Sequence, residues 1–131
     1  TDADGNLVED YQPTIKGEMD VAGSTWDAVH KGMRGVAKNS PLLGSMKLSV
    51  AGKTGTAQED MSRPSHGLFV GFAPYDNPEV GVAVRIGNGY SSSNAASVAK
   101  DILNYKYNFA DESDIVTGAA TASDTTTTHN D

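Results

Sequence analysis

Residues Ala51-Gly52-Lys53-Thr54-Gly55-Thr56-Ala57 set one cation among hydroxyls and bare backbone in a β-like run. A carboxylate is the group such a set can grip. Lys53 offers a charge-assisted hydrogen bond, Thr54 and Thr56 offer hydroxyls, and Gly55 lets a ligand backbone come close. Side chains alternate along a strand, so Lys53 and Gly55 share one face while Thr54 and Thr56 share the other. At an open sheet edge an extended peptide could align beside this run as an added strand. On these residues alone the plainer reading, a surface lysine in an ordinary strand, has the better odds. Gly52-Lys53-Thr54 also invites a phosphate-loop reading, but that motif needs glycine at position 47, which is Lys47, and a helix directly after it. The sequence instead continues as strand.

The surrounding sequence must position this run. Ser24-Thr25-Trp26-Asp27 has the form of a capping box opening a helix. Trp26, Val29, His30, Met33, Val36 and Ala37 then recur at helical spacing, and Lys31, Arg34 and Lys38 complement the C-terminal end of the dipole. Gly32 and Gly35 inside it suggest close packing or a late break, and Asn39-Ser40-Pro41 ends it. His30 sits beside the apolar stripe without a polar partner nearby in sequence, which makes it a structural residue.

Strands are expected over 47–58, 68–73 and 79–86. In the last, Val80, Val82, Val84 and Ile86 alternate with Gly81, Ala83 and Arg85, so one face is bulky and the other small. The small face would admit a closely packed helix. Ser93 or Asn94 can cap that helix, running from Ala95 to about Tyr107 with Ala95, Val98, Ala99, Ile102 and Leu103 as its stripe. Residues 1–23 read as turns and short extended pieces, and residues 110–131 as a disordered acidic, Thr-rich tail.

The chain has 131 residues, no cysteine and a net charge of -7. One modest core is expected. The acidity lies at the ends, since residues 1–20 carry six acids and one base, 21–110 six acids and nine bases, and 111–131 five acids and no base. A +3 middle does not repel a small anion, yet it is too sparse for nucleic acid. No long apolar run suggests a membrane span or an export signal, and no residue pattern calls for a cofactor or metal.

The helix Trp26-x-x-Val29-x-x-x-Met33-x-x-Val36, the run Ala51 to Gln58, the stretch His66-Gly-Leu-Phe-Val-Gly-Phe-Ala-Pro74, a Val-rich strand and a final Ala-rich helix together resemble the C-terminal part of the penicillin-binding protein transpeptidase domain, most like the class B enzymes. The resemblance covers residues 24–107. It implies an α+β fold, an antiparallel sheet packed against helices, with residues 24–109 as the C-terminal portion of that domain. It implies that Lys53, Thr54, Gly55 and Thr56 border the substrate groove and contact the carboxylate of a D-alanyl-D-alanine stem peptide of peptidoglycan or of a β-lactam. The Thr56 backbone N–H would be one oxyanion donor, a type of contact worth about 3 to 4 kcal/mol in other hydrolases. A parent enzyme anchored at the extracytoplasmic face of the bacterial cell membrane is implied as well.

The family's nucleophile lies in a Ser-x-x-Lys motif and its proton-shuttling partner in Ser-x-Asn, both ahead of Lys-Thr-Gly. Neither precedes Lys53. Ser97-Val-Ala-Lys100 and Ser92-Ser-Asn94 follow it, at the start of the last helix, where capping and solvent exposure account for them. The expectation is a truncated domain whose nucleophile is absent from this chain, inactive alone and dependent on the missing N-terminal part as partner. The alternative is a non-catalytic module that binds cell-wall peptides or a protein along the same edge.

Overall fold

The computed structural model describes all residues except 1, 11, 13 and 117–131. Along the chain come α1 (Gly23–Asn39), β1 (Ala51–Ala57), β2 (His66–Ala73), β3 (Val80–Ile86), α2 (Ser92–Lys106) and α3 (Glu112–Ile115). The strands form one antiparallel sheet in the order β1-β2-β3. This is the expected α+β arrangement.

Register divides the sheet into two faces. Thr54 pairs with Phe69 and Phe69 with Val84, while Lys53 pairs with Val70 and Val70 with Ala83. Cross-strand partners lie on one face of a sheet. The Thr54 face therefore carries Phe69, Ala73, Val80, Val82, Val84 and Ile86, which pack with Ala95, Ala96, Ala99 and Leu103 of α2. This is the core, joined by Leu43, Leu48 and Val50 ahead of β1. Full burial of Leu43, Val50 and Leu103 contributes about 1.5 to 3 kcal/mol each relative to exposure.

The face that receives α2 is thus the bulky one, contrary to the expectation from β3. Close approach comes from the alanines of the helix and from Gly67, where an added Cβ would lie 2.4 Å from the Ser91 carbonyl oxygen. Gly52 and Gly71 serve the Phe69 ring, which would stand 2.5 Å and 2.9 Å from a Cβ at either position. A buried phenyl ring occupies the space two side chains would need.

Helix ends also differ from the reading of the sequence. Helix α1 begins at Gly23 with Ala22 as its cap and no side-chain capping bond, so Ser24 and Asp27 lie inside the first turns and form no capping box. It ends at Asn39, as expected. Added Cβ atoms at Gly32 and Gly35 would meet nothing within 4 Å, so neither glycine marks close packing or a break. Helix α2 is capped by Ser91, whose hydroxyl accepts from the Ser93 N–H, which leaves Ser93 and Asn94 inside the helix. Residues 112–115, expected within a tail, form one helical turn with a capping box between Asp111 and Asp114. The rest of the tail reading falls on residues outside those described.

Candidate functional site

Strand β1 carries Lys53, Thr54, Gly55 and Thr56 consecutively and lies at the edge of the sheet, pairing with β2 alone among the described residues. In an antiparallel edge strand every second residue turns its N–H and C=O away from the neighbour. The backbone groups along one side are therefore not used by β2. Lys53 and Thr56 are exposed, Thr54 and Gly55 half-buried. The Lys53 ammonium donates to the Thr54 carbonyl, so the cation lies back along its own strand.

Among the described residues, the Lys53 face is covered at one end by α1. There Phe72, paired with Ala51, meets the His30 ring of α1 edge-on at 5.1 Å, with Trp26 beyond at 6.0 Å from His30. His30 is a packing residue in this setting. The Arg34 guanidinium donates to the Val50 carbonyl at 3.0 Å and ties α1 to the start of β1, a bond that no spacing in the sequence announced. At the other end Lys53, Gly55, Leu68, Val70, Ala83 and Arg85 line a shallow concavity of about 430 Å³, and Val70 stays 52% exposed. Its walls are apolar, with Lys53 and Arg85 as the two cations at its sides. An anionic ligand with an apolar body fits that chemistry.

A Cβ added to Gly55 would stand 3.5 Å from the Leu68 Cβ, an ordinary contact. Internal packing does not require glycine there. Beyond Thr56, the register pairs Ala57 with His66. The His66 Nε2 lies 2.9 Å from the Glu59 carboxylate, and its Nδ1 accepts the Asn88 N–H at 2.9 Å. The hydrogen bond from His66, followed by its charge, holds the Glu59 carboxyl below its ordinary value. Partners 7 and 22 residues apart gave the sequence no pattern to read.

Ser97 and Lys100 lie on α2, across the sheet from Lys53, as do Ser92 and Asn94. The Asn94 amide donates to the Gly89 carbonyl at 2.8 Å, a turn-closing role. None of these four side chains shares a face with the Lys53 ammonium. Among the described residues no group of three or more His, Cys, Asp or Glu converges as a metal site, and no helix is long and apolar enough to cross a membrane.

Residues 3–104 match the family model described as the penicillin binding protein transpeptidase domain. The chain is 30% identical over 112 residues to penicillin-binding protein 2B of Streptococcus pneumoniae, covering 76% of this chain and 16% of that protein. It is 30% identical over 127 residues to the peptidoglycan D,D-transpeptidase MrdA of Haemophilus influenzae, covering 80% of this chain and 20% of that protein. A solved structure of penicillin-binding protein A from M. tuberculosis, an imipenem acyl-enzyme complex, superposes with a TM-score of 0.59 at 28% identity over 66% of this chain and 20% of that one. The chain spans at most about a fifth of the length of these relatives.

Proposed function

The chain belongs to the penicillin-binding protein transpeptidase domain family, and on that premise we propose that it supplies the carboxylate-binding strand of a serine-type DD-transpeptidase that cross-links peptidoglycan outside the cytoplasmic membrane. Lys53, on the open face, holds the terminal carboxylate of a D-alanyl-D-alanine stem peptide, or the corresponding carboxylate of a β-lactam, while the Thr54 and Thr56 hydroxyls, which start from the opposite face, reach it around the edge of β1. The Thr56 backbone N–H donates to the carbonyl oxygen on which negative charge develops, and such donors act most strongly where water is excluded.

One observation carries this reading. Among the described residues, Lys53 to Thr56 lie on a sheet edge that pairs with β2 alone, and the adjoining face is open, apolar and flanked by cations. An extended peptide ending in a carboxylate matches both features at once. No Ser-x-x-Lys precedes Lys53, and Ser97 lies across the sheet, so on this reading the attacking serine comes from a segment outside these residues. That segment would also cover the apolar patch around Val70, and the chain alone would bind without catalysing.

Titration of the chain with a D-alanyl-D-alanine peptide tests it. A charge-assisted hydrogen bond contributes about 1.5 to 3 kcal/mol, so Lys53→Ala is expected to weaken binding about tenfold to a hundredfold. Equal affinity of the two proteins would refute the role given to Lys53.

A further inference from the structure

Resting on the carboxylate-binding reading of β1, we propose that His66 is a positioning residue: in its neutral, Nε2-protonated form it ties the β1–β2 connection to the β3–α2 turn and so holds the Thr56 end of β1 in place for its ligand.

The hydrogen bonds fix the ring. Asn88 can only donate through its backbone N–H, so the Nδ1 that receives it at 2.9 Å carries no proton. The proton of the neutral ring is then on Nε2, where it is donated to Glu59 at 2.9 Å. The ring is 13% exposed while Glu59 stands 78% exposed, so the ring, rather than the carboxylate, is the shielded half of the pair. A second proton would go onto Nδ1 and set one N–H against another. The bond to Glu59 would survive as an ion pair while the bond to Asn88 is lost.

Both ends of this tie matter to β1. Glu59 lies three residues beyond Thr56, and the pairing of Ala57 with His66 makes the imidazole the cross-strand neighbour of the last strand residue. Within the connection, Asp60 bonds to Ser62 and accepts from the Arg63 N–H, contacts that stay local. The bonds reaching out are Glu59 to His66 and the Ser65 carbonyl to the Tyr90 N–H at 2.9 Å. The far end is tied down by the Asn94 amide and the Ser91 N–H, both of which donate to the Gly89 carbonyl, and Gly67 packs closely against the Ser91 carbonyl. Other charged groups near the ring are Arg85 of β3, which acts on the Glu59 carboxylate, and Asp60 and Arg63, which share a polar concavity with Glu59 and Asn88.

The test is amide hydrogen exchange, with ring ¹⁵N shifts, on the full 131-residue chain through the range where histidine charges, about pH 5 to 8. After correction for intrinsic rates, protection at Asn88 and Ala57 is expected to fall about five- to tenfold, the loss of one ordinary hydrogen bond, as the His66 ring takes up its second proton. His66→Phe should show the low protection at every pH, and Glu59→Gln, which keeps an acceptor for Nε2–H, should retain the high protection at neutral pH. A ring protonated on Nδ1 at neutral pH, or wild-type protection at Ala57 that does not change as the ¹⁵N shifts report protonation of the ring, overturns the proposal even if the phenylalanine variant fails to fold. No ligand enters this measurement. Failure of the peptide to bind at any pH would strike the reading of β1 instead, and leave the exchange result standing.

Discussion

Replacing Gly55 by alanine, with Gly52→Ala beside it, separates the site from the fold within one strand. At Gly52 a new Cβ would sit 2.5 Å from the Phe69 Cζ and 2.7 Å from Cε2, and the ring is 2% exposed with Gly71 beneath it. It cannot swing away. Overpacking of this kind costs about 1 to 3 kcal/mol, which for a domain of roughly 100 residues lowers Tm by about 4 to 8 °C per kcal/mol. At Gly55 the new Cβ meets Leu68 at 3.5 Å, a normal contact, and the backbone is not left-handed. Alanine there narrows the unfolded ensemble and should leave stability unchanged or raise it by about 0.4 to 1 kcal/mol. Its methyl nevertheless projects onto the open face between Lys53 and Leu68, where the ligand is to lie. The expected pattern is therefore crossed: Gly55→Ala keeps or gains Tm and loses peptide affinity, whereas Gly52→Ala loses Tm. Thermal melts and peptide titration on the same samples read both. Unchanged affinity in a well-folded Gly55→Ala protein would refute the placement of the ligand over this glycine.

Two further expectations concern stability. The Glu59 carboxyl is held below its ordinary value by His66, so its contribution is present above the usual carboxylate range and is lost as pH falls through its lowered folded value. Denaturation followed from neutral to acid pH should show a stability loss in wild type that is smaller in Glu59→Gln; identical profiles would contradict the pairing. Ser91→Ala removes the cap of α2 and should cost about 1 kcal/mol, while Ser24→Ala, inside the first turn of α1 without a capping bond, should change the melt little.

The sequence made some of this legible for physical reasons that particular residues show. Four consecutive residues, Lys53 to Thr56, bring their own geometry with them, because alternation along a strand fixes which share a face. Alternation in Val80–Ile86 likewise revealed β3. It could not say which face a helix would cover, since that depends on the helix: Ala95, Ala96 and Ala99 fit a bulky sheet face, and the small residues of β3 were left toward the open side. Strand β1 was read from residue 47 because Leu48 and Val50 are apolar, yet they are buried in a connection where the Ser49 carbonyl accepts the Tyr75 N–H. Caps were misplaced where several hydroxyls compete, as in Ser91-Ser92-Ser93. The Arg34 bond to Val50 and the bridge from Glu59 through His66 to Asn88 join residues distant in sequence, and only the register of the sheet brings them together.

The most direct test of the central claim is the intact mass of this chain after incubation with a reactive penicillin, alone and then mixed with a Ser-x-x-Lys-containing segment of a related transpeptidase domain. The account predicts no adduct on the chain alone and acylation of the added segment when both are present, lost on Lys53→Ala. A stable adduct on the chain alone, mapped to Ser97, would contradict it.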